Sequence, residues 1–252
     1  MSLAGAVALV TGGSGGLGAE VSALLAEYGC SVAVTYRRGT DRAAESVAEI
    51  THMGGTAMAV PLDLRDPAGI EACVARVVAE LGGLDLLINA AGMASGGHDI
   101  PKGSLAPFTP EIWDQMMAVN VRGPYLMARA AEPHLRASRL GRIVNVGSTI
   151  GHGTWGAGAA YAPSKAAVVP LTRYLAVALA PDVTVNCVAP GLMEDTQMST
   201  GAPARYVDAW RNRSVLNRTT SLTDVARQII AFCASETVTG QVVIVDGGIH
   251  FT

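Results

Sequence analysis

The stretch Val7-Ala8-Leu9-Val10-Thr11-Gly12-Gly13-Ser14-Gly15-Gly16-Leu17-Gly18 opens the regular structure of this chain. Four consecutive apolar residues read as a buried strand, and the glycine-dense turn leads into a helical segment, Ala19 to Tyr28. Glycines at such a turn let the backbone approach a pyrophosphate. The helix N-terminus adds unpaired N–H groups and the positive end of its dipole. Gly13, Gly15 and Gly18 satisfy G-x-G-x-x-G, while Gly12, Gly16 and Gly18 satisfy T-G-x-x-x-G-x-G. A plain glycine-rich turn is the alternative; the position between strand one and helix one favours a dinucleotide.

Outward from this turn the same alternation repeats. Apolar runs at Val7 to Val10, Ser31 to Tyr36, Ala57 to Pro61, Asp85 to Asn89, Arg142 to Val146, Val183 to Val188 and Gln241 to Val245 read as strands. Helical segments are expected near Ala19 to Tyr28, Pro67 to Leu81, Ile112 to Ala131, Ala159 to Ala180 and Thr223 to Ala234. Strands without polar alternation belong to a parallel sheet covered on both faces. The expected fold is therefore α/β: one Rossmann-type doubly wound domain over residues 1–252, with about seven parallel strands and helices on both faces. Gly29 marks a helix stop, Ser221 to Asp224 resembles a capping box, and Pro170 predicts a kink. The stretch Leu192 to Asn217 reads as the least structured, a lid or a surface excursion.

Half of the residues are apolar and 15% are charged, so the chain can bury a large core. A net charge of -3 gives no basic excess, which speaks against a nucleic-acid surface and for small-molecule partners. No apolar run approaches the roughly 20 residues of a membrane span, and Met1 to Val10 lacks a basic leader, so a cytoplasmic protein is expected. Cys30, Cys73, Cys187 and Cys233 form no C-x-x-C and read as core residues, and no histidine shows metal spacing. No metal is expected.

An adenosine ribose with a free 2′-hydroxyl calls for an acid about 20 residues past the glycine turn, at the end of strand two. Here that place holds Tyr36-Arg37-Arg38. Two guanidiniums suit a 2′-phosphate, so NADP(H) is the preferred cofactor and NAD(H) remains possible; a solvated basic turn is the bland alternative.

Further along, Tyr161 and Lys165 stand four residues apart, with Ser148 thirteen residues before the tyrosine. On a helix the phenol and ammonium share one face. Lowering a tyrosine pKa from about 10 toward neutrality takes about 4 kcal/mol, much of which a close, partly desolvated ammonium could supply. Alone, the pair could be an accident of the surface.

The glycine turn, Asn89-Ala90-Ala91-Gly92, Ser148, Tyr161-x-x-x-Lys165 and Pro190-Gly191, in this order, resemble the short-chain dehydrogenase/reductase family, and the likeness runs to Asp246-Gly247-Gly248. Within the family the chain is most similar to 3-oxoacyl-carrier-protein reductases and related ketoreductases. The resemblance implies that Tyr161 is the general acid in carbonyl reduction and that Ser148 holds the substrate oxygen. It implies that Lys165 lowers the tyrosine pKa and binds the nicotinamide ribose, and that Asn120 helps hold a water in the proton relay. Cofactor contacts would come from Gly12, Ser14, Gly16, Leu17, Gly18, Arg37, Arg38, Asp63, Leu64, Asn89, Ala90, Gly92, Tyr161, Lys165, Pro190, Gly191 and Met193. Asp63 could equally cap the following helix, and Asn120 could be a buried hydrogen-bonding residue. Substrate would meet Ser148, Ile150, Trp155 and Tyr161, with Met93, Thr149, His152, Tyr206 and Trp210 as further candidates. A homotetramer is also implied.

The chain departs from the family pattern at Gly15, where many NADP-dependent relatives carry a basic residue, and at Asp195, where a threonine is usual and Thr196 follows one step later. Ser235 to Gly240 is about three residues short of that pattern. Arg211, Arg213 and Arg218 could meet an anionic carrier or be solvated. The expected activity is interconversion of a ketone and a secondary alcohol, of 3-oxoacyl or broad ketoreductase type. A sugar, polyol or cyclic-alcohol dehydrogenase is the enzymatic alternative, and a dinucleotide-sensing scaffold the non-enzymatic one.

Overall fold

The computed structural model describes residues 2–94, 105, 108–153, 158–194 and 196–251. Its sheet comprises β1 (Val7–Thr11), β2 (Ser31–Tyr36), β3 (Thr56–Pro61), β4 (Leu86–Asn89), β5 (Arg142–Val146), β6 (Thr184–Pro190) and β7 (Val242–Val245). The strands lie in the order β3-β2-β1-β4-β5-β6-β7, and every neighbouring pair is parallel. Strand positions agree with the sequence-based expectation to within two residues. Pro190 prolongs β6 because it still faces Val245 in register.

Alternate side chains of each strand point to opposite faces. Val7 and Leu9 join a core with α3 (Pro67–Leu81), α5 (Gly123–Ala137) and α6 (Tyr161–Ala178). Ala8 and Val10 join the opposite core with α1 (Gly16–Glu27), α2 (Thr40–His52) and α8 (Leu222–Ala234). The central strands are therefore buried on both faces and mostly apolar, which is what made them legible. Strand order reverses between β1 and β4, and in open α/β sheets that reversal leaves a crevice at the carboxyl ends.

Local chemistry sets the helix ends. Gly29, at φ 83°, follows Tyr28, the C-cap of α1. Pro67 opens α3 and Asp66 caps it, accepting from the Ala68 N–H. Ser221 caps α8 by accepting from the Asp224 N–H. α6 continues through Pro170 to Ala178.

Three helical expectations need correction. α2 was not expected: only Ala43 and Ile50 on it are buried, too thin an apolar stripe to stand out. Within the stretch expected to be least structured lies α7 (Ala204–Arg213), whose one buried side chain is Trp210. The single helix expected from Ile112 to Ala131 is α4 (Pro110–Met117), a π turn Ala118–Arg122, and α5. Asn120 sits in that π turn. No helix among the described residues is long and apolar enough to cross a membrane.

Candidate active site

The glycine turn sits at the carboxyl end of β1. Gly12 has φ +68°, and a Cβ there would come within 3.0 Å of the Ala91 Cα; a Cβ on Gly18 would lie 2.2 Å from the Gly12 carbonyl oxygen. Both must be glycine for β1, α1 and the chain that leaves β4 at Ala91 to close up. Two buried hydroxyls fix the turn: Thr35 accepts from the Gly12 N–H at 3.1 Å, and Thr11 accepts from the Ala91 N–H at 3.1 Å. The start of α1 has no side-chain cap and no acidic residue in its first turn, unlike α3, α4 and α8. The Gly18 N–H turns back to the Gly15 carbonyl at 3.1 Å, and no side chain occupies the N–H groups before it, so the donor set fits a dinucleotide pyrophosphate. Leu17 and Leu64 are buried, one in each core, so their side chains are taken up by packing.

Arg37 and Arg38 are exposed at the end of β2. Beyond them, sequence reasoning missed Arg42 in the first turn of α2. The Gln197 carboxamide, oriented by its partners, accepts from the Arg42 guanidinium, with Nη2 at 2.7 Å and Nε at 3.2 Å. The same amide would lie 3.1 Å from a Cβ on Gly15, and Arg42 Nη2 would lie 2.6 Å from one on Gly39. The guanidinium thus stands between the arginine turn and the glycine turn, beside Gly15. No sequence spacing signals this, because Arg42 and Gln197 meet only through the fold.

Asp63 does not cap α3; Asp66 does. Asp63 binds Arg65 instead, accepting from its Nε at 2.9 Å, its backbone N–H at 3.0 Å and its Nη2. That pairing lowers the carboxyl to about 2. Asn89 donates to Asn145 Oδ1 at 2.9 Å across β4 and β5, so its amide braces the sheet. Ala90 packs into the α1/α8 core, and Pro190 and Gly191 end β6 beside Asp246 and Thr220.

The reacting groups gather next to this crevice. A Cβ on Gly92 would lie 3.4 Å from Lys165 Nζ and 3.7 Å from Asn120 Oδ1. Tyr161 opens α6 and Lys165 follows one turn on, its Nζ 6.0 Å from the phenol ring centroid. Lys165 is buried and donates to the Val146 carbonyl at 2.8 Å. Asn120 clamps the loop that follows β4: its Nδ2 donates to Met93 O and to Ser164 Oγ, and its Oδ1 accepts from the Met93 N–H, each within 2.9 Å. Its amide is thus fully used as a brace, the role left open beside the water relay.

Electrostatics run opposite to the expectation for the phenol. Burial pushes Tyr161 up to about 12, against a hydrogen bond with Ser148 that pulls it down. Burial also lowers Lys165 to about 8. The physical reason is shared: in an enclosed site both charged forms are desolvated, and the lysine spends a donor on Val146 rather than on the phenolic oxygen. A tyrosine of this kind keeps its proton but is a weaker acid than a free phenol, so giving the proton up depends on a positive charge beside the tyrosinate.

Around the phenol lies an apolar wall of Ile112, Met116, Ile150 and Trp210, with Phe108, Leu192 and Tyr206 packed against it. Tyr206 meets Trp210 edge to face at 6.3 Å. Trp155 and Asp195 lie outside the described residues. Met193 packs against the α1/α8 core, and the residues after it cross the crevice: Thr196 Cβ would lie 3.2 Å from a Cβ on Gly16, and Met198 Sδ accepts from the Tyr161 hydroxyl at 3.8 Å. Arg211 is bridged to Glu194 and Asp208, so its charge is spent within the segment.

Comparison with known proteins agrees with this geometry. Residues 12–250 match the family described as enoyl-(acyl carrier protein) reductase. A ketoacyl reductase of the granaticin polyketide synthase of Streptomyces violaceoruber is 37% identical over 97% of this chain and 96% of its own length. The 3-oxoacyl-[acyl-carrier-protein] reductase of Staphylococcus aureus is 32% identical, over 96% and 97%. Among solved structures, a short-chain dehydrogenase of Burkholderia cenocepacia in complex with NADP superposes with a TM-score of 0.89 at 38% identity, covering 99% of both chains.

Proposed function

The chain belongs to the short-chain dehydrogenase/reductase family and is an oxidoreductase, and from that premise we propose that it reduces a ketone on an apolar substrate to a secondary alcohol, using NADP(H). The observation that carries this reading is a buried Tyr161 at the head of α6 with the buried Lys165 Nζ 6.0 Å from its ring, beside a glycine turn that no side chain caps.

NADPH, when bound, supplies the hydride for the carbonyl carbon. The chain supplies position and the proton. Ser148 and Tyr161 hold the substrate oxygen between two hydroxyls, and Tyr161 protonates it as negative charge develops. The Lys165 ammonium stabilises the tyrosinate left behind and binds the nicotinamide ribose. Gly12 through Gly18 take the pyrophosphate, while Arg37, Arg38 and Arg42 take the 2′-phosphate; the NADP complex of the Burkholderia relative supports this choice. Gly92, Pro190, Gly191 and Met193 flank the nicotinamide half, and Leu192 to Asn217 acts as the lid. Ile150, Trp210 and Tyr206 give the substrate an apolar seat, which favours an acyl or polyketide chain over a sugar or polyol. The relatives named as ketoacyl and 3-oxoacyl reductases support the same class. A homotetramer is part of the reading, supported by Trp113 and Tyr125 left exposed on α4 and α5.

A substrate panel tests this reading. A 3-oxoacyl thioester, a cyclic ketone, a polyol and an enoyl thioester are each assayed with phosphorylated and unphosphorylated cofactor, as kcat/KM. Turnover of the ketones with NADPH is expected. Preference for the enoyl thioester or the polyol defeats the substrate class, and cofactor binding with no turnover of any carbonyl leaves the sensing scaffold standing.

The pH profile follows from the two shifted groups. Tyr161, at about 12, stays protonated through the working range, whereas Lys165 loses its proton near 8. In the reducing direction kcat/KM should be level from about pH 6 and fall above about pH 8, because that ratio reports the free enzyme. A profile still level at about pH 10 contradicts the role given to the ammonium.

A further inference from the structure

Ser148 lies at the head of a single 3₁₀ turn, Thr149–His152, too short to hold itself rigid. The next residue is fastened from the far end of the chain. Thr149 is fully buried, with its hydroxyl oxygen 2.6 Å from Asp246 Oδ2 and 2.7 Å from His250 Nδ1. A carboxylate has no proton to offer, so the threonine proton goes to Asp246, and Nδ1 of His250 must carry the proton donated to the threonine oxygen. The histidine tautomer is thereby set, with Nε2 turned toward Gly153, where a Cβ would lie 2.4 Å away.

Asp246 is itself immobile. It directly follows β7, is 3% exposed, and accepts backbone N–H groups from Gly248, Ile249 and His250 at 2.9 to 3.0 Å. Nothing in the proposed chemistry uses this buried carboxylate, the histidine or the threonine. On the other side of Ser148, Gly147 donates to the Val188 carbonyl at 2.8 Å. Ser148 is thus held between β6 on one side and the post after β7 on the other.

We propose that Thr149, Asp246 and His250 form a positioning unit for Ser148, which acts through the serine hydroxyl and touches no reacting atom. The proposal rests on Ser148 holding the substrate oxygen. Misplacing such a group by about 1 Å can cost on the order of 100-fold in rate, so a post this rigid has catalytic consequence.

The test is a double-mutant cycle on the full-length protein. Thr149→Val keeps the side-chain shape and removes both hydrogen bonds; kcat should fall roughly 10- to 100-fold while the KM for NADPH stays within about twofold. Thr149→Ser, which keeps the hydroxyl, should recover kcat to within about threefold of the original. In a Ser148→Ala background, Thr149→Val should cost nothing further, because its effect passes through the lost hydroxyl. If Thr149→Val does not fold, His250→Ala takes its place in the cycle, at a position partly open to solvent. Losses that multiply, or no rescue by serine, overturn the positioning unit. A Ser148→Ala variant with undiminished kcat overturns instead the role of Ser148 on which the unit depends.

Discussion

Tyr161→Phe is expected to lower kcat by on the order of 100-fold or more while NADPH still binds with a Kd within about threefold of the original. The substitution removes one oxygen and keeps the ring that packs against Ile112, Met116, Ile150 and Trp210, so fold and crevice survive. What is lost is the more acidic of the two hydroxyls placed at the proposed oxygen position. Because burial keeps the phenol protonated, up to about 12, the proton is available at any pH at which the protein is handled. Ser148 cannot replace it, since a serine hydroxyl is a far weaker acid. Retention of a tenth of kcat with the phenylalanine in place would end the case for Tyr161 as general acid. Loss of NADPH binding would mean that the variant had damaged the crevice, and the comparison would pass to Ser148→Ala.

The second large effect is on cofactor choice. Replacing Arg37 and Arg38 together by alanine should lower kcat/KM for NADPH roughly 50- to 1000-fold and leave NADH within about threefold, since each charge-assisted bond to phosphate is worth about 1.5 to 3 kcal/mol before screening by solvent. Both side chains are exposed, which places the expectation below the full sum. Arg42→Ala alone should cost a further 5- to 10-fold for NADPH, and titration with 2′,5′-ADP against 5′-AMP gives the same comparison without turnover. Equal losses for both cofactors would show that the arginines serve the fold. An original protein that prefers NADH would remove the phosphate from the argument altogether.

The parts of the fold legible in the sequence share one property: their signal is local. β1 and β5 are buried along their whole length, so Val7 to Val10 shows as an unbroken apolar run and β5 as Ile143, Val144 and Val146 interrupted by one buried asparagine. α3 carries a proline at its start, a capping aspartate and a glycine after its end. α2 has a glycine past its end, Gly54 at φ 83°, but no proline or capping side chain at its start, where it follows Gly39 at φ 78°, and it buries two residues. The π turn at Asn120 was equally invisible, because an extra residue in a helix is set by what the helix packs against. Within the site, Tyr161 and Lys165 could be paired by their spacing, yet the direction of their pKa shifts could not, since desolvation depends on what closes over them.

By itself the sequence determined the parallel α/β architecture, the glycine turn, the arginines after β2 and the order of Ser148, Tyr161 and Lys165. Period, turn chemistry and four-residue spacing are properties of short segments, and short segments carry them wherever they fold. Only the tertiary structure decided that Asn120 braces Met93, that Arg42 faces the glycine turn through Gln197, and that Asp246 and His250 hold the residue after Ser148. Those contacts join residues from 27 to 155 positions apart, and nothing in a local pattern encodes which distant side chain arrives at a given face. The apolar enclosure that keeps the tyrosine protonated is of the same kind, assembled from α4, the turn after β5, and α7.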